Sequence, residues 1–272
     1  MKFSGLFSRV LITFTLGPLV LAAAYFGGYW FLGFVALISV ISFWELSQMA
    51  LKKETIVTTG LGSVVILFFL INLHENWVAP LDVIFFSVPL FMFRELFRNK
   101  GSALSNLGAT YLGLFYIGIC TGSLVLIRDF AGFRDNQGGL FVISYIVSIW
   151  LSDTSAYFGG LTFGKHRLLE RVSPKKSTEG FYFGMAGAVG SFFLFRWLFL
   201  DFLLVQDAVI LGLTVGIVGP LGDLSESLIK RDVGVKDSSN LLADHGGFFD
   251  RFDSIIASAP FVYLYLKNFI EL

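Results

Sequence analysis

Apolar stretches about twenty residues long follow one another along most of the chain, with shorter polar segments between them. A membrane-spanning helix needs about 20 predominantly apolar residues, because every backbone polar group must find its partner inside the segment. The pattern therefore predicts an all-α integral membrane protein with about nine transmembrane helices. The predicted spans are 10–28, 30–50, 56–73, 77–93, 108–128, 139–162, 181–200, 203–226 and 254–270.

The first predicted span also has features of a secretory signal peptide. Lys2 and Arg9 precede its apolar stretch, and three consecutive alanines at 22–24 lie near its end. A cleavable leader has this arrangement. We expect the span to be retained in the protein, and cleavage is the alternative.

Lysine and arginine are strongly biased to one side of this plan. With the N-terminus inside, sixteen of the 20 Lys and Arg residues fall in inside segments, whereas the outside loops hold only Arg128 and Arg134. Arg196 and Lys267 lie near the outer ends of their spans. Because Lys and Arg concentrate on the cytoplasmic side of membrane proteins, we expect a multi-pass protein of the inner (plasma) membrane with its long polar segments in the cytoplasm.

Composition excludes several classes of protein. Hydrophobic residues make up 55% and charged residues 15%, against about 45–50% and about 25% in a soluble domain. The formal net charge is +0, so no excess of charge favours a nucleic-acid partner. The single cysteine, Cys120, cannot form an internal disulfide, and the scattered His74, His166 and His245 match no zinc motif. We therefore expect neither structural zinc nor a redox centre.

Polar residues change their distribution halfway along the chain. In residues 1–150 the charges occupy mostly short loops, whereas in residues 151–254 they interrupt or extend the predicted helices. No internal repeat or low-complexity linker separates the two halves. We expect a single polytopic domain over 1–272, in which residues 151–272 are the catalytic half and the polar active site lies at the cytoplasmic ends of the C-terminal helices.

One helix face at the end of the eighth span carries two carboxylates followed by two cations. A carboxylate inside an apolar span is costly without a partner, so this stripe indicates a functional site. An ordinary interfacial loop with snorkelling Lys and Arg side chains is the alternative. The spacing i, i+3, i+4, i+7 and i+8 places five polar residues on this face: Asp223, Glu226, Ser227, Lys230 and Arg231.

A second carboxylate pair begins the ninth span. Asp250 and Asp253 stand at i and i+3, so with Asp223 and Glu226 four carboxylates can converge where two helices meet the inner surface. Oxygen ligands of this kind suit Mg²⁺ and the phosphates bound to it. The sequence therefore predicts a magnesium site among these four carboxylates.

The loop between these two helices contains His245, Gly246 and Gly247. Adjacent glycines let a backbone approach a phosphate closely, and a plain tight turn explains them equally well. His245 could be a proton donor, a phosphate ligand or a structural hydrogen-bonding group. Charged residues flank the loop on both sides and favour a role in phosphate binding: Lys236, Asp237, Asp250 and Arg251.

A second polar segment follows the sixth span. Asp153 and Tyr157 are i, i+4 neighbours near the inner end of that span. Gly160 and Gly164 follow at small-xxx-small spacing, which we expect to permit close helix packing.

Further along this segment, Ser173-Pro174 predicts a helix start, with serine as the N-cap and proline at the first helical position. Lys175 and Lys176 would then lie beside exposed backbone amides, a combination suited to a polyphosphate. The alternative is a cytoplasmic anchor of the positive-inside kind. Elsewhere, Glu45, Asp82 and Asp207 are expected near span ends or surfaces, where water reaches them.

The C-terminal half resembles the phosphatidate cytidylyltransferase family, also called CDP-diacylglycerol synthases. The blocks SDTSAYFGG, FGK, SPKKSTEG and GDLSESLIKR resemble family sequences, so the likeness covers at least residues 151–254. The family's C-terminal signature is matched by Ser227, Ile229, Lys230, Arg231, Lys236, Asp237, Leu242, His245, Gly246, Gly247, Asp250, Arg251 and Asp253.

This resemblance implies transfer of a cytidylyl group from CTP to phosphatidate at the membrane, giving CDP-diacylglycerol and pyrophosphate. It implies Mg²⁺ as cofactor, held by Asp223, Asp250 and Asp253, with room for a second cation such as K⁺, and it favours Asp223 and Asp253 as the metal pair. It implies catalytic roles for Asp223, Lys230, Arg231, Lys236, Asp237, His245, Asp250, Arg251 and Asp253. Substrate contacts are expected from Asp153, Tyr157, Lys165, Ser173, Lys175, Lys176, Ser227, Gly246 and Gly247, with the two lysines of SPKK near phosphatidate.

Two other functions fit some of these features. A CTP-dependent polyprenol or phytol kinase needs similar metal and triphosphate contacts, but its alcohol acceptor requires a base, for which Asp223 or Asp237 is available. A transporter of an anionic solute also uses polar residues at broken helices, yet it is expected to show an internal repeat. The sequence leaves the oligomeric state open, a homodimer included.

Overall fold

A computed structural model describes residues 2–242 and 246–270, with side chains from residue 14 onward. Two short strands, β1 (Arg167–Leu169) and β2 (Ser173–Ser177), pair as an antiparallel hairpin. The helices are α1 (Lys2–Phe26), α2 (Gly28–Leu51), α3 (Thr59–Glu75), α4 (Pro80–Leu96), α5 (Ala103–Leu112), a π-helical segment (Gly113–Ile119), α6 (Cys120–Arg128), α7 (Gln137–Phe163), α8 (Thr178–Leu198), α9 (Val205–Asp232) and α10 (Phe249–Phe269).

The helices form nine rods within the described residues, because α5, the π-helical segment and α6 run on as one. Each rod overlaps one of the nine predicted spans. The chain is an all-α integral membrane protein apart from the hairpin. Five rods are long and apolar enough to cross a membrane: Gly28–Leu51, Ala103–Arg128, Gln137–Phe163, Thr178–Leu198 and Val205–Asp232.

The predicted helix start at Ser173-Pro174 is wrong, because these residues belong to β2. The residue before a proline is disfavoured in the α conformation, and Ser173 pairs instead with Leu169 of β1. Helix α8 begins at Thr178, and its N-cap is Ser177, whose Oγ accepts a hydrogen bond from the Gly180 amide at 3.1 Å. The lysines of SPKK therefore lie on a strand that leads into the helix.

Helices α7 and α8 pack against each other along a seam of small residues. A Cβ atom added to Gly180 would lie 2.7 Å from the Ala156 carbonyl oxygen, and one added to Gly187 would lie 2.3 Å from Ser155 Oγ. Such contacts leave no room for a side chain, and small residues are what allow membrane helices to approach closely. A Cβ atom added to Gly160 would lie 3.7 Å from Gly180 Cα. Gly160 is therefore part of the same seam, as the small-xxx-small spacing predicted.

Helix ends meet at two opposite ends of the bundle. At one end, Lys53 after α2 forms an ion pair with Asp232 at the end of α9, with 2.6 Å between Nζ and Oδ1. At the other end, His74 of α3 contacts Asp129 after α6 at 2.7 Å. Contacts of Glu179 and Lys176 likewise bring together the end of α7, the start of α8 and the end of α9.

The prediction for the three isolated acids holds for only one of them. Asp82 is exposed, as expected. Asp207 is only 4% exposed, because its carboxylate accepts hydrogen bonds from the Leu204 amide and the Tyr265 hydroxyl, each at 2.7 Å. The carboxylate thus caps the start of α9 and links it to α10. Glu45 is also buried, and it belongs to the site described next.

Candidate active site

Three carboxylates meet where α9 approaches α10. Asp223 and Glu226 lie one turn apart on α9, and Asp253 comes from the first turns of α10. One oxygen of each lies within 4.8 Å of the others. The approach depends on Gly222, since a Cβ atom there would lie 2.4 Å from Cβ of Ala257 on α10. Close helix packing thus brings the three side chains together.

Two lysines neutralise part of this negative charge. Lys176 of β2 donates a hydrogen bond to Asp223 Oδ2 at 2.5 Å. Lys230, one turn beyond Glu226 on α9, lies 2.7 Å from Glu226 Oε2 and 2.5 Å from Asp250 Oδ1. Like charges this close disfavour ionisation of one another unless cations or hydrogen bonds compensate. The cluster is therefore built around counter-charges from two separate elements.

The donor set of the cluster fits a hard divalent cation. All three ligand groups are carboxylates, the oxygen donors that Mg²⁺ prefers. Glu226 is 0% exposed, and its Oε1 has no hydrogen-bond partner among the residues that the structure describes. A buried carboxylate oxygen without a partner is costly, and a bound cation would satisfy it. The group Asp223, Glu226 and Asp253 is hereafter the carboxylate cluster.

Asp250 occupies a different position from the one predicted for a metal ligand. Its Oδ1 is bonded to Lys230, while its Oδ2 accepts hydrogen bonds from the amides of Ser238 (2.9 Å) and Gly247 (2.8 Å). Gly246 has φ +79, a left-handed conformation that favours glycine. Asp250 therefore fastens the loop between α9 and α10, and Glu226 takes the third place in the carboxylate cluster. Helical spacing predicts Glu226 on the same face as Asp223, whereas the predicted metal set contains Asp250 in its place.

The same loop is also held by a residue from the N-terminal half. Glu45 of α2 is 0% exposed, so the expectation that water reaches it is wrong. Its carboxylate accepts hydrogen bonds from the amides of Phe248 (3.0 Å) and Phe249 (2.7 Å) at the start of α10. It also lies within hydrogen-bond distance of the hydroxyls of Ser238 (3.1 Å) and Ser239 (2.5 Å). A carboxylate inside a predicted apolar span is the one sequence signal for this role of Glu45. Its hydrogen-bond partners are visible only in the fold.

The cluster opens to one side. The Asp223 side chain is 37% exposed and that of Lys176 is 29% exposed, whereas Glu226 and Asp253 are buried. Asp153 of α7 is exposed beside this opening, close enough to Asp223 and Lys176 for their charges to interact. Asp223, Lys176 and Asp153 thus form the accessible edge of the site, hereafter the rim, while Glu226 and Asp253 form its buried base.

The remaining predicted site residues differ in exposure and in their contacts. Tyr157 is 63% exposed on α7, and Ser227 Oγ lies 3.3 Å from Asp223 Oδ1. Arg231 donates to the Val172 carbonyl at 3.5 Å and so ties α9 to the hairpin. His245 lies outside the described residues. Exposed positions are occupied by Lys165, Lys175, Lys236, Asp237 and Arg251, while Ser173 is half-buried.

Glu179 holds the connection between α7 and the hairpin. Its carboxylate accepts hydrogen bonds from the Lys165 amide at 3.0 Å and the His166 amide at 3.2 Å. The His166 ring nitrogen Nδ1 lies 2.6 Å from the same carboxylate. Glu179 therefore joins the start of α8 to the residues that precede the hairpin, and so holds the hairpin that carries Lys176 at both of its ends.

Comparison with known proteins gives a consistent result. The chain matches the cytidylyltransferase family over residues 7–269. It is 32% identical over 269 residues to a phosphatidate cytidylyltransferase of Synechocystis sp., covering 88% of this chain and 89% of that protein. The phosphatidate cytidylyltransferase of Bacillus subtilis is 30% identical over 234 residues (84% and 86%). That of Aquifex aeolicus is 34% identical over 219 residues (79% and 77%).

Proposed function

The chain belongs to the cytidylyltransferase family, and from this premise we propose that it transfers the cytidylyl group of CTP to phosphatidate. A phosphate oxygen of phosphatidate forms a bond to the α-phosphorus of CTP. The bond from that phosphorus to the oxygen leading to the β-phosphate breaks, and pyrophosphate leaves with the electron pair. One observation carries the proposal: a buried carboxylate cluster with an unpartnered oxygen lies beside Lys176 at the junction of α9 and α10.

The carboxylate cluster would hold Mg²⁺ through Asp223, Glu226 and Asp253, and a second cation such as K⁺ would occupy the same acidic region. When bound, Mg²⁺ supplies neutralisation of phosphate charge and a fixed orientation for the phosphates. Asp250 and Lys230 support the cluster, because Lys230 pairs with both Glu226 and Asp250, and Asp250 also holds the loop. The metal set proposed here therefore differs from the predicted set of Asp223, Asp250 and Asp253 in its third member.

The protein's own residues must bring two anions together. A phosphomonoester has a second pKa of about 6, so the attacking oxygen is already ionised and no strong general base is required. Charge compensation and positioning are therefore the main tasks. Lys176 stands at the rim of the cluster, where it would neutralise the phosphate of the lipid. The exposed cations of the hairpin, of the end of α9, of the segment leading into α10 and of its first turn would attract CTP: Lys175, Arg231, Lys236 and Arg251.

The lipid would enter from the side of α7. Beside Asp153, three large side chains of that helix are strongly exposed: Tyr157 (63%), Phe158 (62%) and Leu161 (68%). In a bilayer such apolar surface contacts acyl chains. The tails of phosphatidate would remain in the bilayer while its headgroup slides along α7 to the rim.

We also propose that all nine rods span the inner membrane and that the carboxylate cluster faces the cytoplasm. The bias of Lys and Arg supports this orientation. The contacts at the helix ends support it as well, since the end of α2 lies beside the end of α9 and the start of α10. CTP would then reach the site directly from the cytoplasm.

The experiment uses the purified protein with phosphatidate, Mg²⁺ and CTP labelled at either the α- or the γ-phosphate. We expect the α-label in a lipid product and the γ-label in pyrophosphate. A kinase would instead move the γ-label to its acceptor. Asp253→Asn should reduce turnover by orders of magnitude, because it removes a charged ligand with little change in volume. The matched control, exposed Asp82→Asn, should remain active.

Failure of the parental protein to form any α-labelled lipid would overturn the proposed reaction. Near-parental turnover of Asp253→Asn at saturating Mg²⁺ would instead contradict only the assignment of the metal ligands. Thermal unfolding in detergent, followed for both variants, shows whether the protein stays folded.

A further inference from the structure

The π-helical segment Gly113–Ile119 places one polar side chain toward the carboxylate cluster. Tyr116 lies in the middle of this segment, and its ring contacts Phe249 edge-to-face with 6.2 Å between centroids. Phe249 immediately precedes Asp250 at the start of α10. π-helical turns inside α-helices occur frequently at functional sites. Here the wider turn brings a residue of the N-terminal half up to the catalytic half.

The Tyr116 hydroxyl is buried, and it has no hydrogen-bond partner within residues 14–242 and 246–270. Buried hydroxyls are nearly always bonded, so an orphaned one needs an explanation. The charges of Asp253, Glu226 and Asp223 all act on this hydroxyl, and that of Asp253 acts most strongly. Glu226 Oε1, a second buried atom without a partner, belongs to the same cluster. One unpartnered atom therefore belongs to the cluster, and the other belongs to a side chain that packs on Phe249, one turn before Asp253 on α10.

These two atoms are chemically complementary to a metal-bound phosphate. A carboxylate oxygen can only accept hydrogen bonds or bind a cation, whereas a neutral tyrosine hydroxyl can donate. A phosphate oxygen bound to a cation at the carboxylate cluster would offer an acceptor to the Tyr116 hydroxyl. Hydrogen bonds to charged acceptors are stronger than neutral ones, and exclusion of water strengthens them further.

We propose that the Tyr116 hydroxyl donates a hydrogen bond to a phosphate oxygen of the substrate held at the carboxylate cluster. The inference rests on the proposed function, and it adds a catalytic residue from the N-terminal half. The phosphate could belong to CTP or to phosphatidate, since both carry the same acceptor chemistry. Through Tyr116 the N-terminal half of the chain would contact the substrate that the C-terminal half binds.

The test compares Tyr116→Phe with Tyr111→Phe, a matched control on the same rod. The Tyr111 hydroxyl donates to the Val88 carbonyl at 2.7 Å and has its partner inside the protein. We expect Tyr116→Phe to lower kcat/KM about tenfold to hundredfold, as for loss of a hydrogen bond to a charged group. Its melting temperature should stay equal or rise, because it removes an unpartnered buried hydroxyl. Tyr111→Phe should keep the parental kcat/KM and should have a lower melting temperature, because the Val88 carbonyl loses its donor.

Binding assays identify the source of the phosphate. CTP affinity in the presence of Mg²⁺ and affinity for vesicles containing phosphatidate are measured for the parent and Tyr116→Phe. Weaker binding of one ligand assigns the contact to that ligand. Unchanged binding with a lower kcat assigns it to the transition state.

Equal kcat, equal Michaelis constants and equal affinities for both ligands would overturn the role of Tyr116. A parent that binds CTP but forms no lipid product would refute the proposed reaction, while the binding comparison would still decide on Tyr116. A parent that neither binds nor turns over either substrate would overturn both proposals.

Discussion

Replacing Glu45 by glutamine should disable the site from a distance, because this carboxylate holds the loop that ends at the carboxylate cluster. Glu45 contacts four donors, two of them backbone amides at the start of α10. A chain of contacts continues from it: Ser238 Oγ lies 3.0 Å from Asp250 Oδ2, and Asp250 pairs with Lys230, which pairs with Glu226. The substitution keeps the size of the side chain and changes only its hydrogen-bonding capacity.

The expected magnitude follows from these contacts. A glutamine amide keeps one acceptor oxygen and turns an NH₂ group toward the other donors. Each carboxylate oxygen of Glu45 faces one backbone amide and one serine hydroxyl, and a hydroxyl can turn to accept from the NH₂ group, whereas an amide cannot. One amide therefore loses its acceptor, at ~1.5–3 kcal/mol for a hydrogen bond to a charged group. A loss of this size corresponds to a change of about tenfold to hundredfold in an equilibrium or a rate, and we expect Glu45→Gln to lower turnover by about that factor.

The assay combines turnover with hydrogen exchange. The amides of Phe248 and Phe249 are protected by Glu45, so they should exchange faster in the variant, as local opening predicts. Glu54→Gln, at an exposed position just after α2, is the matched control and should change neither quantity. Parental turnover of Glu45→Gln, or unchanged exchange at these two amides, would refute the reasoning.

The remaining predictions concern the hairpin and the topology. Lys176→Met should lower turnover about tenfold to hundredfold through loss of its charge beside Asp223. Lys175 is exposed, and Lys175→Met should have a much smaller effect. Equal kinetics for the two variants would contradict a special role for Lys176. With Cys120→Ser as background, a membrane-impermeant thiol reagent should label Lys236→Cys from the cytoplasmic side and Arg134→Cys from the outside. Labelling of both from one face would overturn the nine-span plan.

The positions of the helices could be predicted from the sequence because the bilayer imposes a simple rule. A span must be long and apolar, so each of the nine predicted segments overlaps a rod. The carboxylates of α9 could be placed on one face by helical spacing alone. That Asp223 and Asp253 would meet also followed from their positions at neighbouring helix ends.

The roles of individual acids could not be predicted, since they depend on contacts distant in sequence. Glu45 and Asp250 hold the same loop although the chain places them far apart. Helical spacing brings Glu226 and Asp250 to the same region, and Lys230 pairs with both of them. Only the bonds of Asp250 to the amides of Ser238 and Gly247 identify it as the residue that holds the loop. In SPKK, serine followed by proline predicts a helix start, but pairing with β1 makes this segment a strand.

The seam between α7 and α8 limits how the protein can move. Backbone and small side chains there are in direct contact at Gly180 and Gly187, and packed interfaces of this kind resist gradual sliding. The two helices and the hairpin between them should therefore behave as one rigid body that carries Asp153 and Lys176 at fixed separation. A change in the shape of the site would then come from α9 and α10, where the bonds from Glu45 and Asp250 to backbone amides can break and re-form.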